Sequence, residues 1–224
     1  IPTPHIDRLA SEGMTFTDAH TSSSVCTPTR YGVLTGRYNW RSSLKSRVLY
    51  GFSPRLIEQG RMTIGAMLQK QGYKTACFGK WQLGFDGTLK EGGFATSDDD
   101  AWKVDYSKPI QNGPLSVGFD NFYGISASLD MAPYVFITNN DSQLATVEKA
   151  FHRKGPAAKG FEAVDVLPMI TKETVKFINA QSKSDNPFFV YFPLNAPHTP
   201  IVPTGEWEGK SGINKYGDFT MQVD

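Results

Sequence analysis

Residues 63–78 limit the possible folds of this chain more strongly than any other stretch of the sequence. Thr63–Lys70 predicts an amphipathic helix, with Ile64, Met67 and Leu68 spaced to lie on its inner side. Residues 73–78, with the sequence Y-K-T-A-C-F, then predict a short strand. A helix that leads directly into a strand is typical of α/β layering around a largely parallel sheet.

The second half of the chain fits the same class. Residues 161–181 predict a helix entry and a long helix, and 213–224 predict the beginning of another amphipathic helix. Phe188–Phe192 is a continuous apolar run, which is typical of a strand buried on both faces. Residues 85–118 are rich in Gly, Asp and Ser and predict an irregular loop, whereas residues 139–160 are polar and give no prediction.

Composition excludes several classes of function. The chain has 224 residues with 39% hydrophobic content, which is enough for one substantial core. Its 23 Lys and Arg residues balance 22 Asp and Glu residues, so no basic excess points to nucleic acid. No apolar run is long enough to span a membrane, no signal peptide is visible, and two cysteines do not make a disulfide framework.

Residues 22–37 carry the most specific chemistry of the sequence. Small polar residues lead to Cys26, Thr27 is a predicted N-cap, and Pro28 suits the first helical position because its missing N–H needs no partner. Cys26 is therefore expected at the positive end of a helix dipole, which suits an anionic ligand or transition state. Arg30 lies about one turn further along and can point back to the same spot.

The sequence of this stretch resembles the motif of the type I sulfatases. Cys26–Arg30 reads C-T-P-T-R, which matches C-x-P-x-R, and Leu34–Arg37 supplies the L-T-G-R that follows it in that family. A thiol phosphatase loop, C-x5-R, is set aside because it requires arginine where this chain has Gly32. The resemblance extends over nearly the whole chain through ordered segments at residues 1–13, 22–37, 72–84 and 187–200.

The resemblance implies a fold and a domain organisation. The implied class is α/β, with a mixed, mostly parallel central sheet sandwiched by helices as in the alkaline phosphatase superfamily. The first residues and the last helix suggest a piece of a longer protein. We therefore expect one partial, incomplete catalytic domain over residues 1–224, truncated at both ends, an N-terminal-half fragment of a sulfatase.

The resemblance also implies a reaction. In the family, a maturation enzyme oxidises the motif cysteine, here Cys26, to formylglycine. One hydroxyl of the hydrated aldehyde attacks the sulfur of a sulfate monoester, and the other later helps to expel sulfate. The resemblance further implies a Ca²⁺ ion that is bound by the converted Cys26 and by other ligands outside this chain. The alternative for Cys26 is an ordinary buried thiol.

Four more residues match positions of the family's site. Arg30 matches the residue that holds formylglycine and helps to balance charge, Lys80 matches the sulfate anchor, and His198 matches a second sulfate or leaving-group contact. Gln82 stands in G-K-W-Q-L-G where the family usually has histidine. Glutamine can hydrogen-bond a sulfate oxygen but cannot transfer a proton near neutral pH. A solvated surface lysine and a structural loop histidine are the alternatives for Lys80 and His198.

Other polar residues give weaker expectations. Asp98–Asp100 invites a metal-site interpretation, but its loop context favours a solvated acidic turn. His5 and His20 are expected to be surface or packing residues. Residues 125–138 are interpreted as a substrate-facing loop in which Asp130 and Tyr134 are possible contacts.

The resulting hypothesis is hydrolysis of a sulfated carbohydrate or an aryl sulfate through a nucleophile derived from Cys26. The expected partners are a sulfated small-molecule or glycan substrate and the formylglycine-generating enzyme, and the full-length protein is expected to be periplasmic or secreted. A phosphonate or phosphate ester hydrolase of the same superfamily remains an alternative. A catalytically impaired homologue that only binds sulfated glycans is another, and Gln82 favours it.

Overall fold

A five-stranded mixed sheet forms the centre of the structure, a computed structural model that describes residues 1–224. The strands of this sheet are β1 (Lys74–Lys80), β2 (Asn121–Ile125), β3 (Ile137–Thr138), β4 (Asp141–Ser142) and β7 (Phe188–Tyr191). Their order across the sheet is β4-β3-β2-β1-β7. Strand β1 pairs in parallel with both β2 and β7, while β3 and β4 join antiparallel. The prediction of a mixed sheet with a parallel centre is confirmed.

Five helices and a second small sheet complete the chain. The helices are α1 (Pro4–Glu12), α2 (Cys26–Thr35), α3 (Ile64–Lys70), α4 (Val166–Gln181) and α5 (Lys215–Val223). Helices α3 and α4 both pack against β1, so the sheet is flanked by helices as expected. Strands β5 (Ala145–Ala150) and β6 (Lys154–Ala158) form an antiparallel hairpin that the sequence did not predict. None of the helices combines the length and the apolar character that a bilayer crossing requires.

The parallel centre of the sheet brings two glycines face to face. Gly79 of β1 is in register with Gly124 of β2, and a Cβ atom on Gly124 would collide with the carbonyl of Gly79. Gly79 also has a φ of 136°, a backbone conformation that side chains rarely allow. This tight pairing places Lys80, the last residue of β1, and the loop that begins at Ser126 after β2 at one edge of the sheet.

A core of aromatic and aliphatic side chains holds the sheet and helices together. Trp81 lies edge-on to Phe119 and Phe122, with ring centroids 6.4 and 6.5 Å apart, and Phe119 stacks on Tyr191. Complete burial of one such side chain contributes about 1.5–3 kcal/mol. Trp81 follows Lys80 directly, so the core anchors the loop that carries the site.

Some details of burial differ from the predictions. Phe188–Tyr191 is half-buried rather than buried on both faces, because β7 lies at the edge of the sheet and pairs only with β1. Met67, predicted to point inward, is largely exposed, because α3 buries Gly65 instead. Helix α1 buries none of its residues.

Candidate active site

Helix α2 presents Cys26 at its first position. Val25 is extended and precedes the helix, and Gly36 ends it in a left-handed conformation while donating its N–H to the carbonyl of Gly32. Thr27 therefore lies inside the first turn, and the prediction that it caps the helix is wrong. Its hydroxyl instead accepts from Leu49 N at 3.0 Å and donates to the carbonyl of Gln82 at 3.1 Å.

Lys80 ends strand β1 and points at the cysteine. Its Nζ lies 3.3 Å from Cys26 Sγ and 2.5 Å from Ser128 Oγ, and only 1% of the residue is exposed. Burial is the main cause that lowers the pKa of Lys80 to about 8, and the nearby charge of Arg30 adds to it. Lys80 is thus a buried ammonium aimed at Cys26, and not the solvated surface lysine of the alternative interpretation.

His198 approaches Cys26 from the segment that follows β7. Its Nδ1 lies 2.7 Å from the carbonyl oxygen of Thr199, which leaves the other ring nitrogen to face the thiol. Hydrogen bonding with His198 is the largest cause that lowers the pKa of Cys26, to about 6, against the opposing effect of burial. The same bond is the largest cause that raises the pKa of His198. The pair therefore favours a thiolate beside an imidazolium.

Arg30 ties three chain segments together beneath the site. Its guanidinium donates to the carbonyl of Lys80 at 2.7 Å and to the carbonyl of Leu194 at 3.3 Å. These bonds join α2 to the end of β1 and to the chain that leads to His198. Its Nε is buried and has no partner.

The side chain of Gln82 lies away from this cluster of hydrogen bonds. It is completely buried, and its Nε2 donates to the carbonyl of Leu49 at 3.0 Å and lies 3.7 Å from Met131 Sδ. Its Oε1 is buried without a partner. The structure therefore brings Cys26, Arg30, Lys80 and His198 together, and it gives Gln82 no hydrogen bond to any of them.

Sequence reasoning missed Ser128, which holds the Lys80 ammonium from the loop after β2. The same loop contains Asp130, whose carboxylate pairs with Arg153 at 2.9 Å and whose charge raises the pKa of Lys80. Tyr134 is 1% exposed and donates to the carbonyl of Arg153, so it belongs to the core rather than to a substrate-facing surface. Ser128 lies just after β2, a strand that runs parallel to β1, and this position was the available signal for it.

A cleft of about 430 Å³ opens in front of Cys26. The lining includes Ser23 and Ser24 on one side, Arg30 beneath, and Tyr191 at the end of β7. Arg30 and the N-terminus of α2 line this cleft, and Lys80 reaches Cys26 from the end of β1, so the arrangement suits an anion at Cys26.

No carboxylate cluster accompanies Cys26. The chain contains no group of three or more His, Cys, Asp or Glu side chains that could hold a metal ion. Asp98–Asp100 forms a 3₁₀ turn in which Asp100 accepts from Thr96 N and pairs with Lys103. His5 and His20 are exposed, as expected. The donor set at Cys26 does not by itself fit Ca²⁺, which takes 6–8 oxygen ligands, so the calcium expectation remains a prediction.

Comparison with known proteins gives matches over the whole chain. The family model described as Sulfatase matches residues 1–224. N-acetylgalactosamine-6-O-sulfatase from Bacteroides thetaiotaomicron is 31% identical over 265 residues, covering 100% of this chain and 49% of the relative. Mouse N-acetylgalactosamine-6-sulfatase is 26% identical, covering 99% of this chain and 40% of the relative.

A solved structure from work on glycosaminoglycan metabolism by Bacteroides thetaiotaomicron superposes on the chain with a TM-score of 0.80. It shares 28% sequence identity, and the match covers 99% of this chain and 51% of that one. The chain thus spans about half the length of the relatives that it matches.

Proposed function

Since this chain belongs to the sulfatase family, we propose that the protein hydrolyses sulfate monoesters through a nucleophile formed from Cys26. The observation that carries the proposal is the buried Lys80 ammonium 3.3 Å from Cys26 Sγ at the N-terminus of α2. A sulfate ester presents anionic oxygens, and preorganised cations stabilise the charge that develops in the transition state.

Lys80 is proposed to bind the sulfate group. Its pKa of about 8 leaves the ammonium mostly protonated at neutral pH, and Ser128 fixes its direction. Cys26 is also the first residue of α2, and the positive end of a helix dipole favours an anion there. Two nitrogens of Arg30 donate hydrogen bonds to the carbonyls of Lys80 and Leu194. We therefore assign Arg30 to positioning these segments and to charge balance.

His198 is proposed to serve the leaving-group side of the ester. Its Nδ1 faces the carbonyl of Thr199, which orients the ring and leaves the second nitrogen free to hold a proton near Cys26. Proton transfer by a positioned side chain typically contributes about 10²–10⁴-fold to a rate. Formylglycine at position 26 would supply the geminal diol that attacks sulfur.

Calcium is retained as a proposed cofactor with ligands beyond residues 1–224. The groups nearest Cys26 are cationic, and the chain offers no cluster of acidic side chains for the ion. The steps assigned to Lys80, Arg30 and His198 do not pass through a metal.

Sulfated glycans are the proposed substrates. The relatives named above act, by name, on sulfated N-acetylgalactosamine, and the cleft before Cys26 is large enough for a sugar that carries a sulfate. A glycan-binding homologue with impaired catalysis is the second candidate, because the buried amide of Gln82 replaces the family's histidine.

Expression of the full-length protein with a formylglycine-generating enzyme tests the proposal. Peptide mass spectrometry should show that the Cys26 thiol has become an aldehyde, and sulfate should be released from sulfated sugars faster than phosphate from phosphate esters. Lys80→Ala should abolish release, whereas the exposed Lys159→Ala is the matched control. An unmodified cysteine in a competent host would contradict the nucleophile assignment, and glycan binding without release would favour the second candidate.

A further inference from the structure

Two exposed aromatic residues form a flat surface at the far end of helix α2 from Cys26. The rings of Tyr38 and Trp40 stack with centroids 4.1 Å apart and an interplanar angle of 10°. Tyr38 is 55% exposed and Trp40 is 57% exposed, so more than half of each residue is accessible to solvent. Exposed aromatics that hold each other in place offer a large binding area at little entropic cost.

The backbone holds this pair in a defined turn. Residues 39–41 form a 3₁₀ turn, and the hydroxyl of Ser42 donates to the carbonyl of Asn39 at 2.7 Å. The ammonium of Lys45 donates to the carbonyl of Trp40 at 2.8 Å. The two rings therefore project from an ordered turn and form a stacked surface, here called the Tyr38–Trp40 platform.

The segment around the platform is strongly basic although the whole chain is nearly neutral. Residues 19–57 contain no Asp or Glu, and their cations are Arg30, Arg37, Arg41, Lys45, Arg47 and Arg55. Arg41, Lys45 and Arg47 are exposed and form no ion pair with a carboxylate. An apolar platform flanked by free cations is complementary to a ligand with both apolar faces and anionic groups.

The platform also lies along a surface that leads to the candidate site. A groove of about 330 Å³ runs beside α2 and is lined by Ser22, Gly32, Gly36, Arg37 and Tyr38. Ser22 adjoins Thr21 and Ser23, which line the cleft in front of Cys26. Helix α2 has 10 residues, and a helix of that length extends about 15 Å. A chain-like ligand would have to extend over at least this distance, several sugar units, to occupy both places.

We propose that the Tyr38–Trp40 platform binds a second sugar unit of a sulfated polysaccharide whose sulfate ester lies at Cys26. The C–H face of the sugar ring stacks on the aromatic surface, and Arg41, Lys45 and Arg47 contact sulfate groups on neighbouring units. The inference rests on the proposed function and narrows its substrate class to polymeric glycans, in preference to aryl sulfates.

Kinetics of the full-length, formylglycine-containing protein test the platform. The Tyr38→Ala/Trp40→Ala variant should raise KM for a sulfated oligosaccharide about three- to tenfold, given the usual energy of an aromatic contact. The kcat and KM for an aryl sulfate should stay unchanged. Trp102→Ala is the matched control, because Trp102 is also exposed and also accepts from a lysine through its carbonyl, yet lies elsewhere in the chain.

The contribution of the exposed cations beside the platform is tested separately. Arg41→Gln/Arg47→Gln should weaken oligosaccharide binding and flatten its dependence on salt, since exposed charges act through screened attraction. An unchanged KM for the oligosaccharide in both double variants would overturn the proposal. Equal losses on aryl sulfate and oligosaccharide, together with a lower Tm, would also overturn it, because they would mean that the platform packs against another part of the protein.

Binding at the Tyr38–Trp40 platform and the proposed sulfate ester hydrolysis can be refuted independently of each other. Calorimetric affinity for the same oligosaccharide, measured on the Cys26→Ala protein with and without the platform substitutions, requires no turnover. If the wild type releases no sulfate from any substrate but the platform variant loses affinity, the proposed function fails and the platform stands. If sulfate is released and the affinity is unaffected, the platform fails alone.

Discussion

Cys26 and Cys77 show how neighbours decide the chemistry of a thiol. Hydrogen bonding with His198 and the nearby Lys80 ammonium outweigh the effect of burial and lower the pKa of Cys26 to about 6. Cys77 lies fully buried in β1, where desolvation raises its pKa far above the ordinary value. At neutral pH the first is mostly thiolate and the second remains a thiol.

Alkylation of the unconverted protein should therefore distinguish the two cysteines. The rate at which iodoacetamide modifies Cys26 should rise with pH around a midpoint near 6, and Cys77 should stay unmodified in the folded protein. His198→Ala removes the hydrogen bond that contributes most to the lowered pKa, so the midpoint should move upward. Peptide mass spectrometry measures both rates. A wild-type midpoint near 8.5, the value of a free cysteine, would contradict the geometry.

Gln82 allows a second prediction at the scale of one residue. In the full-length mature protein, Gln82→His should change kcat for a sulfate ester little, because the buried side chain points to the carbonyl of Leu49 and makes no hydrogen bond to Cys26, Lys80 or His198. Proton transfer needs the acid or base within hydrogen-bond reach of the reacting group. Gln82→Met is the control that fills the space without a hydrogen-bonding group. A clearly raised kcat in Gln82→His, absent in Gln82→Met, would contradict this geometry and place position 82 in the proton-transfer path.

At the scale of elements, the hydroxyl of Thr27 connects three parts of the fold. It joins α2 to Leu49 and to the carbonyl of Gln82 in the loop after β1, and the residue is fully buried. Gln82 Nε2 returns to the carbonyl of Leu49, which closes a ring of hydrogen bonds. This ring fixes the first turn of α2 relative to the end of β1, and hence Cys26 relative to Lys80.

Substitution of Thr27 should separate the hydroxyl from the shape of the side chain. Thr27→Val leaves the N–H of Leu49 without its partner, and an unpaired buried donor costs about 1–3 kcal/mol. Thr27→Ser keeps the hydroxyl and should lose less stability. Urea denaturation of the two variants measures the difference. Equal stability of Thr27→Val and the wild type would show that the ring contributes nothing to the fold.

Two helices that were predicted correctly have starts that are set locally. Thr63 caps α3 and accepts from Ala66 N, and Asn214 does the same for α5 with Gly217 N. Burial is not set locally, since Met67 has the spacing of an inward residue yet faces solvent. The hairpin of β5 and β6 escaped prediction because the adjacent polar residues Glu148 and Lys149 break the apolar–polar alternation that identifies a strand.

The residues of the site also divide into those predicted from local sequence and those that depend on distant pairing. Cys26, Arg30, Lys80 and His198 were predicted through motifs, which are short in sequence. Ser128 reaches Lys80 only because Lys80 is in register with Ile125 of β2, so that the chain after β2 passes beside the ammonium. That register depends on pairing between segments about 45 residues apart, as the parallel arrangement requires.

At the scale of the whole molecule, the charge around Cys26 is one-sided. Lys80, Arg30 and His198 supply cations, and Asp130, the carboxylate whose charge acts on Lys80, is paired with Arg153. A divalent cation placed on Cys26 would face repulsion from these groups unless further carboxylates came with it. The site of this chain is therefore built for an anion, and a cation needs ligands from elsewhere.

Calcium titration of the 224-residue chain follows from this balance. Calorimetry should detect no sub-micromolar Ca²⁺ site, because the ion takes 6–8 oxygen ligands and no cluster of three acidic, His or Cys side chains exists here. Circular dichroism with a cooperative thermal transition is the control that the chain is folded during the titration. A tight site would contradict the prediction, and its loss in Asp98→Asn/Asp100→Asn, but not in Asp141→Asn, would place the ion at the acidic turn instead of at Cys26.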